Sequence, residues 1–179
     1  MRRILMPLAA LAMLSCANVT VDEPSICDSK SLSQLPSVPV GVTPPPGIST
    51  PPISFSQTLD LSSTLSKINN VADSVNITVN DLMLDNSSGA MSWVSDIEVD
   101  ITAQGMPSRV LTKYTLTSSD QSSTSLSLPV SMDSSTLYSY LSSGPVTLTF
   151  TFSGGVPSQT PELTGSMCVS ASANKHLSL

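Results

Sequence analysis

The chain has few of the residues that most often act as a general base or as zinc ligands, with one histidine and three cysteines. Its single histidine, His176, lies near the C-terminus, in a stretch over 175–179 that the sequence predicts to be frayed, where a general base could not be held in place. No serine has the strand-to-helix context of a nucleophile elbow, no glycine-rich phosphate loop follows a strand, and no Cys or His pair has zinc spacing. The sequence therefore predicts a protein that is not an enzyme and that needs no cofactor.

Charge is scarce as well, and what there is has one dominant sign. Charged residues make up 11% of the chain, with 7 basic against 13 acidic side chains. A chain of this balance is not expected to bind nucleic acid, whose phosphates attract basic surfaces. It is also not expected to adsorb on anionic lipid by electrostatic attraction.

A long hydrophobic run is also missing, because the apolar segment from Ile4 to Leu14 is too short to cross a bilayer. Two arginines precede this segment and the small residue Ser15 follows it. A charged start, a short apolar centre and a small residue at the end are typical of an export signal. The sequence predicts that residues 1–15 are such a signal and are removed.

The end of this signal, Met13-Leu14-Ser15-Cys16, resembles the lipobox of bacterial lipoproteins, with Met13 where the family usually has leucine. The resemblance implies that Cys16 carries a diacylglyceryl group and that the acyl chains attach the protein to a membrane. Ala17 stands where many lipoproteins kept at the inner membrane have aspartate, so the expected location is the outer membrane of the cell envelope. Two alternatives stay open: an ordinary secretory signal with an incidental cysteine, or an uncleaved membrane anchor.

Residues 16–52 lack sustained periodicity and contain eight prolines, Pro44-Pro45-Pro46 among them. The sequence predicts a tether that could stand the domain off the membrane by up to roughly 100 Å at polyproline rise. Cys27 and Cys168 are the remaining thiols, and in an oxidising compartment this pair is a candidate disulfide. The bridge would shorten the tether to residues 17–26; two unpaired thiols are the alternative.

Residues 53–179 show the alternating pattern of strands with one buried face. The clearest example carries Val146, Leu148, Phe150 and Phe152, and the strand that begins at Val75 changes parity at Asn80-Asp81, as a β-bulge requires. Other strands are predicted from the apolar residues of 53–61, 91–103, 110–116, 126–132 and 163–171, and short helices after Ser62 and after Asp133. About seven short strands favour an all-β, antiparallel, immunoglobulin-like β-sandwich with two short helices; a small closed barrel is the alternative.

This organisation of lipobox, proline-rich tether and one β domain is similar to that of uncharacterised β-sandwich lipoproteins of Gram-negative bacteria. The similarity covers the layout of the chain and includes no diagnostic motif in the domain. It implies a lipid-anchored envelope protein.

Two groups of residues in the domain are candidate binding sites. Asp96, Glu98 and Asp100 alternate along one strand, so their carboxylates project from the same face about 7 Å apart and could bind Ca²⁺, although a solvated outer face is the simpler interpretation. Tyr138 and Tyr140 could stack on a sugar or contact a partner protein, against the alternative that Tyr138 packs in the core and Tyr140 is merely exposed.

Together these patterns predict a non-catalytic, lipid-anchored envelope protein that presents a β-sandwich to an envelope protein or serves as an accessory subunit. The alternative function is a cell-surface adhesion module that binds carbohydrate or Ca²⁺.

Overall fold

The computed structural model describes residues 17–31, 33–35, 41, 50–62, 65 and 74–177 of the chain. The strands are β1 (Ala17–Ser31), β2 (Ser33–Leu35), β3 (Ile53–Leu59), β4 (Ser74–Asn86), β5 (Val94–Ala103), β6 (Arg109–Thr115), β7 (Ser125–Ser127), β8 (Val146–Gly154) and β9 (Leu163–Leu177). Two helices, α1 (Ser118–Gln121) and α2 (Ser134–Ser142), lie on either side of β7. Among the described residues, no helix combines the length and the apolar character needed to cross a membrane.

The strands form two antiparallel sheets, which confirms the predicted all-β sandwich. The alternative, a small closed barrel, is not what the described residues form. Sheet A has the order β1-β9-β4-β7 and sheet B the order β2-β3-β8-β5-β6. Strands pair from the outside of the sequence inward, β1 with β9, β3 with β8, β4 with β7 and β5 with β6. This nested pairing is that of a jelly roll, and it differs from the immunoglobulin strand order that the sequence analysis named.

The core lies between the two sheets and is built from the alternating residues that the sequence predicted. In β8 the burial alternates along the strand, with Val146, Leu148, Phe150 and Phe152 inside. In β4 the register shifts between Val79 and Asp81, which confirms the predicted bulge. The bulge returns Leu82 and Leu84 to the buried face.

Strand β6 corrects one prediction about which residues face the core. Val110 was expected inside, but it is 39% exposed and Leu111 is buried instead. The pairing of β5 with β6 shifts between Val99 and Asp100, so that a bulge at Leu111 changes the parity of the strand.

The predicted tether differs most from the structure. Residues 17–31 and 33–35 form β1 and β2, and β2 pairs with β3. The proline-rich residues 36–52 therefore connect two neighbouring strands of one sheet. Cys27 and Cys168 lie opposite each other in the β1–β9 pairing and are joined by a disulfide, as the sequence analysis proposed. The pairing extends to Leu177, so the predicted fraying from residue 175 is wrong as far as Leu177.

Helix α2 begins at the predicted cap, where Asp133 accepts a hydrogen bond from the backbone nitrogen of Thr136 at 2.8 Å. Of the helix predicted after Ser62, only Ser62 and Leu65 lie within the described residues, and both are helical. Leu65 is buried in the core, as its place in the apolar stripe predicts.

Candidate functional site

A hollow among the described residues lies at one end of the sandwich, between the β4–β5 and β8–β9 connections. It has a volume of about 470 Å³ and is lined by residues 86, 88–90, 92–93 and 155–159. We call it the Trp93 cleft. Both connections leave the same end of the sandwich, because β4 and β8 each end there.

The first wall is a tight turn organised by Asn86. This side chain is only 3% exposed, and its Oδ1 accepts hydrogen bonds from the Ser88 hydroxyl at 2.6 Å and from the Ser88 backbone nitrogen at 3.3 Å. Gly89 follows with a φ of 142°, a conformation that favours glycine. The sequence signal for this turn was present in Asp85-Asn86-Ser87-Ser88-Gly89, but it did not indicate a cleft.

The second wall is bound to the first by side-chain hydrogen bonds. The Ser87 hydroxyl donates to Glu162 Oε2 at 2.8 Å, and the backbone nitrogen of Glu162 donates to the Ser88 hydroxyl at 3.3 Å. The Gln159 amide donates to the Ser88 carbonyl oxygen. Because the bonds join two loops about 70 residues apart in the chain, the cleft has a fixed width.

Trp93 is the aromatic residue of the cleft lining. The sequence predicted that Trp93 lies within the strand over 91–103 and faces the core. In the structure β5 begins one residue later, at Val94, and Trp93 is half-buried. Its ring packs against Phe152 with centroids 5.6 Å apart, and Phe152 packs edge-on against Phe55 at 5.5 Å. The core therefore supports the indole from one side while the residue also lines the cleft.

The backbone beside Trp93 leaves no room for a side chain on β8. Gly154 has a φ of 146°, and a Cβ placed there would meet the Trp93 carbonyl oxygen and would lie 2.8 Å from the backbone nitrogen of Ser95. The next residue, Gly155, donates its backbone N–H to the Trp93 carbonyl at 2.6 Å. Glycine at 154 is thus what lets the second loop lie against Trp93.

No charged side chain lines the Trp93 cleft. Its polar groups are amides and hydroxyls, which donate and accept hydrogen bonds but do not exchange protons near neutral pH. The arrangement suits binding of an uncharged polar molecule and provides no acid, base or nucleophile pair for a reaction.

The predicted acidic row on β5 is present, but its members have separate partners. Glu98 forms an ion pair with Lys113 on β6 at 2.6 Å, and Asp96 accepts from the hydroxyls of Thr115 at 2.7 Å and Ser95 at 2.8 Å. Those hydrogen bonds, Thr115 first, lower the pKa of Asp96. Asp100 is half-buried, and burial followed by the charge of Glu98 raises its pKa.

The same row gives no sign of a metal centre. Within the described part of the chain, no three His, Cys, Asp or Glu side chains are close enough to hold a metal ion. The turn residue Asn86 offers no further ligand, because it lies on sheet A and its Oδ1 accepts a hydrogen bond from the Ser88 hydroxyl. The Ca²⁺ hypothesis for Asp96, Glu98 and Asp100 therefore has no geometric support from the residues described.

Of the two tyrosines of α2, Tyr140 is the fully buried one, contrary to the expectation that it is exposed. Tyr140 is 2% exposed and its hydroxyl donates to the Pro107 carbonyl at 2.5 Å, so it is a core residue and cannot contact a partner. Tyr138 is half-buried beside the core. The helical spacing explains the burial of Tyr140, because Leu137, Tyr140 and Leu141 form one face of α2.

The other residues with a predicted role lie near the two ends of the chain. Cys16, the predicted lipidation residue, and the predicted signal over residues 1–15 lie outside the described residues. The backbone of His176 pairs with Asn18 in the β1–β9 ladder, so His176 is not in a frayed tail.

Comparisons with known proteins give no family. No protein-family model matches the sequence, and no curated protein is similar to it. Among solved structures, a chain of Desmodium yellow mottle tymovirus is similar in fold over 99% of this chain and 97% of its own, with 9% identity and a TM-score of 0.39. A likeness this weak indicates neither a shared family nor a shared function.

Proposed function

We propose that this chain is an exported lipoprotein of the bacterial cell envelope, and that its jelly-roll domain is a non-catalytic module presented to an envelope protein or used as an accessory subunit. The anchor is the acyl group on Cys16. Once residues 1–15 are removed, five basic and thirteen acidic side chains remain, so the acyl chains and not surface charge hold the protein to the membrane.

One structural observation supports this proposal. Strand β1 begins at Ala17, the residue after Cys16, and runs to Ser31 along the full length of sheet A. An acyl group on Cys16 would then lie at one end of the sandwich with no free leash between lipid and domain. The Trp93 cleft lies at the opposite end, roughly 45 Å away at about 3.3 Å per residue of strand.

The anchor is tested by changing the thiol that would carry the lipid. In cells that produce the full chain, Cys16→Ser is expected to abolish incorporation of labelled palmitate and to move the protein out of the fraction extracted only by detergent. Ser15→Ala is the matched control, because it keeps a small residue before the cysteine and should still be processed and lipidated. A Cys16→Ser protein that stays as firmly membrane-bound as the wild type would contradict the proposal.

The end of the sandwich that carries the Trp93 cleft, called the loop end, is the surface expected to face a partner protein. Site-specific photocrosslinking tests this separately. A crosslinker at Ser158, on the Trp93 cleft, is expected to capture an envelope protein in membranes of the native cells. The same group at Gln104, in the β5–β6 turn at the other end of the sandwich, is expected to capture little. Equal capture from both ends would show that the loop end is not the presented surface.

A further inference from the structure

We propose that the Trp93 cleft is a binding site for a neutral saccharide, with the indole of Trp93 as the surface on which one sugar ring stacks. This inference goes beyond envelope anchoring and does not depend on lipidation of Cys16. It rests on the size, chemistry and rigidity of the cleft.

The size of the cleft is compatible with a small ligand. Its volume of about 470 Å³ falls within the range of roughly 300 to 1,000 Å³ that is usual for small-molecule sites.

The lining combines one aromatic surface with several neutral hydroxyl and amide groups. A pyranose ring has a C–H face that packs on an aromatic ring and a rim of hydroxyls that both donate and accept hydrogen bonds, as Ser and Gln side chains also do. The hydroxyls of Ser92 and Ser158 make no hydrogen bond to another of the residues that the structure describes. Both line the cleft and can bond to a ligand.

Charge narrows the class of ligand further. Because no charged side chain lines the cleft, a phosphate, a sulfate or a uronic acid would be desolvated there without a counter-ion. The chemistry therefore favours an uncharged sugar over an acidic one.

The cleft is also preorganised for binding. Phe152 supports the indole, the Ser87–Glu162 bond joins the two loops, and Gly154 lets the second loop approach Trp93. A site that is already ordered loses little conformational entropy when a ligand binds, which is what weakly held sugars require.

The sequence offers a direct reporter, since Trp93 is the single tryptophan of the chain. The test titrates the full-length protein, purified in detergent, with neutral gluco-, manno-, galacto- and N-acetylglucosamine oligosaccharides and follows tryptophan emission. At least one neutral sugar is expected to give a saturable change, and the corresponding uronate oligosaccharide is expected to bind at least 10-fold more weakly.

Variants keep the test independent of folding. Ala90→Arg places a long side chain in the cleft and keeps Trp93; it is expected to reduce sugar affinity at least 10-fold, measured by emission and by calorimetry. Gln104→Arg adds the same charge at the far end of the sandwich and is expected to bind as the wild type does. Ser92→Ala, which removes one hydroxyl, is expected to weaken binding by about 3- to 10-fold.

Three outcomes would overturn the inference. The first is no emission change with any neutral sugar up to millimolar concentration. The second is equal binding by the wild type and Ala90→Arg. The third is a change produced by unstructured peptides but by no sugar, which would make the cleft a peptide site.

Discussion

The disulfide between Cys27 and Cys168 allows the sharpest prediction about stability. It joins β1, an edge strand of sheet A, to β9, its neighbour in that sheet, across a sequence separation of 141 residues. Cys27 is exposed, so a reductant can reach the bond. The perturbation is the double substitution Cys27→Ser/Cys168→Ser in a Cys16→Ser background, which removes the third thiol and the lipid from the comparison.

The magnitude follows from the length of the loop that the bond closes. In the chain-entropy treatment, a cross-link over 141 residues lowers the entropy of the unfolded chain by an amount equivalent to about 5 kcal/mol at 25 °C. A domain of ordinary stability has only about 5–15 kcal/mol in total. Loss of the bond is therefore expected to remove a third or more of the free energy of unfolding.

Urea unfolding followed by Trp93 emission measures the effect on both proteins. We expect the serine pair to unfold at a much lower urea concentration, and wild-type protein treated with reductant to match it. Hydrogen exchange should show the amides of β1 losing protection before those of β8, because β1 has a neighbour on one side only. A loss below about 1 kcal/mol would refute the reasoning, since the pairing with β9 alone would then hold β1 in place.

Two further predictions concern the backbone and pH. Gly154→Ala is expected to cost more than about 2 kcal/mol, because its Cβ meets backbone at a φ of 146°; the control Gly105→Ala, at a φ of 76° with no atom within 4 Å, should cost about 1–2 kcal/mol in the same urea assay. Hydrogen bonds from Ser135 and then Thr136 hold the pKa of Asp133 far below its usual range, so its stabilising contribution is complete above about pH 5 and is lost as the pH falls through the acid range. Asp133→Ser keeps a helix cap but removes the carboxyl group, so it should reduce the drop in Tm between pH 6 and pH 3. The control Asp85→Ser, which changes an exposed acid on β4, should leave the effect of Asp133 intact. If Asp133→Ser has the same pH profile as the wild type, the cap does not contribute to the pH dependence of stability.

The strands that the sequence predicted well are those whose own residues alternate. In β8 each buried position is apolar, and in β4 each buried position except the last residue, Asn86, is apolar, so the pattern alone indicates the face. Strand β1 gives no such signal, because Pro24 interrupts it and the register shifts between Glu23 and Ile26. It is a strand because β9 and the disulfide hold it there, and a long-range contact of that kind leaves no local period.

The Trp93 cleft was harder to predict from the sequence than strand β1. Trp93 was assigned to the core by its parity with Ile97, but a register shift between Val94 and Asp96 separates it from that face. The cleft depends on two loops far apart in sequence and on the approach allowed by Gly154. Composition predicts only that charge-driven partners are not expected, whereas the position of the one tryptophan beside the two loops is seen only in the fold.

The outer edges of the two sheets bear on how copies of this protein tolerate crowding. β2 and β7 have three residues each, β6 is kinked by a bulge and carries Lys113, and β1 is interrupted at Pro24, which has no N–H to donate. None of these four borders offers a neighbouring molecule a long, regular row of backbone groups on which to add a strand. Neighbouring copies packed side by side should therefore remain separate molecules and should not form fibrils by edge-strand pairing.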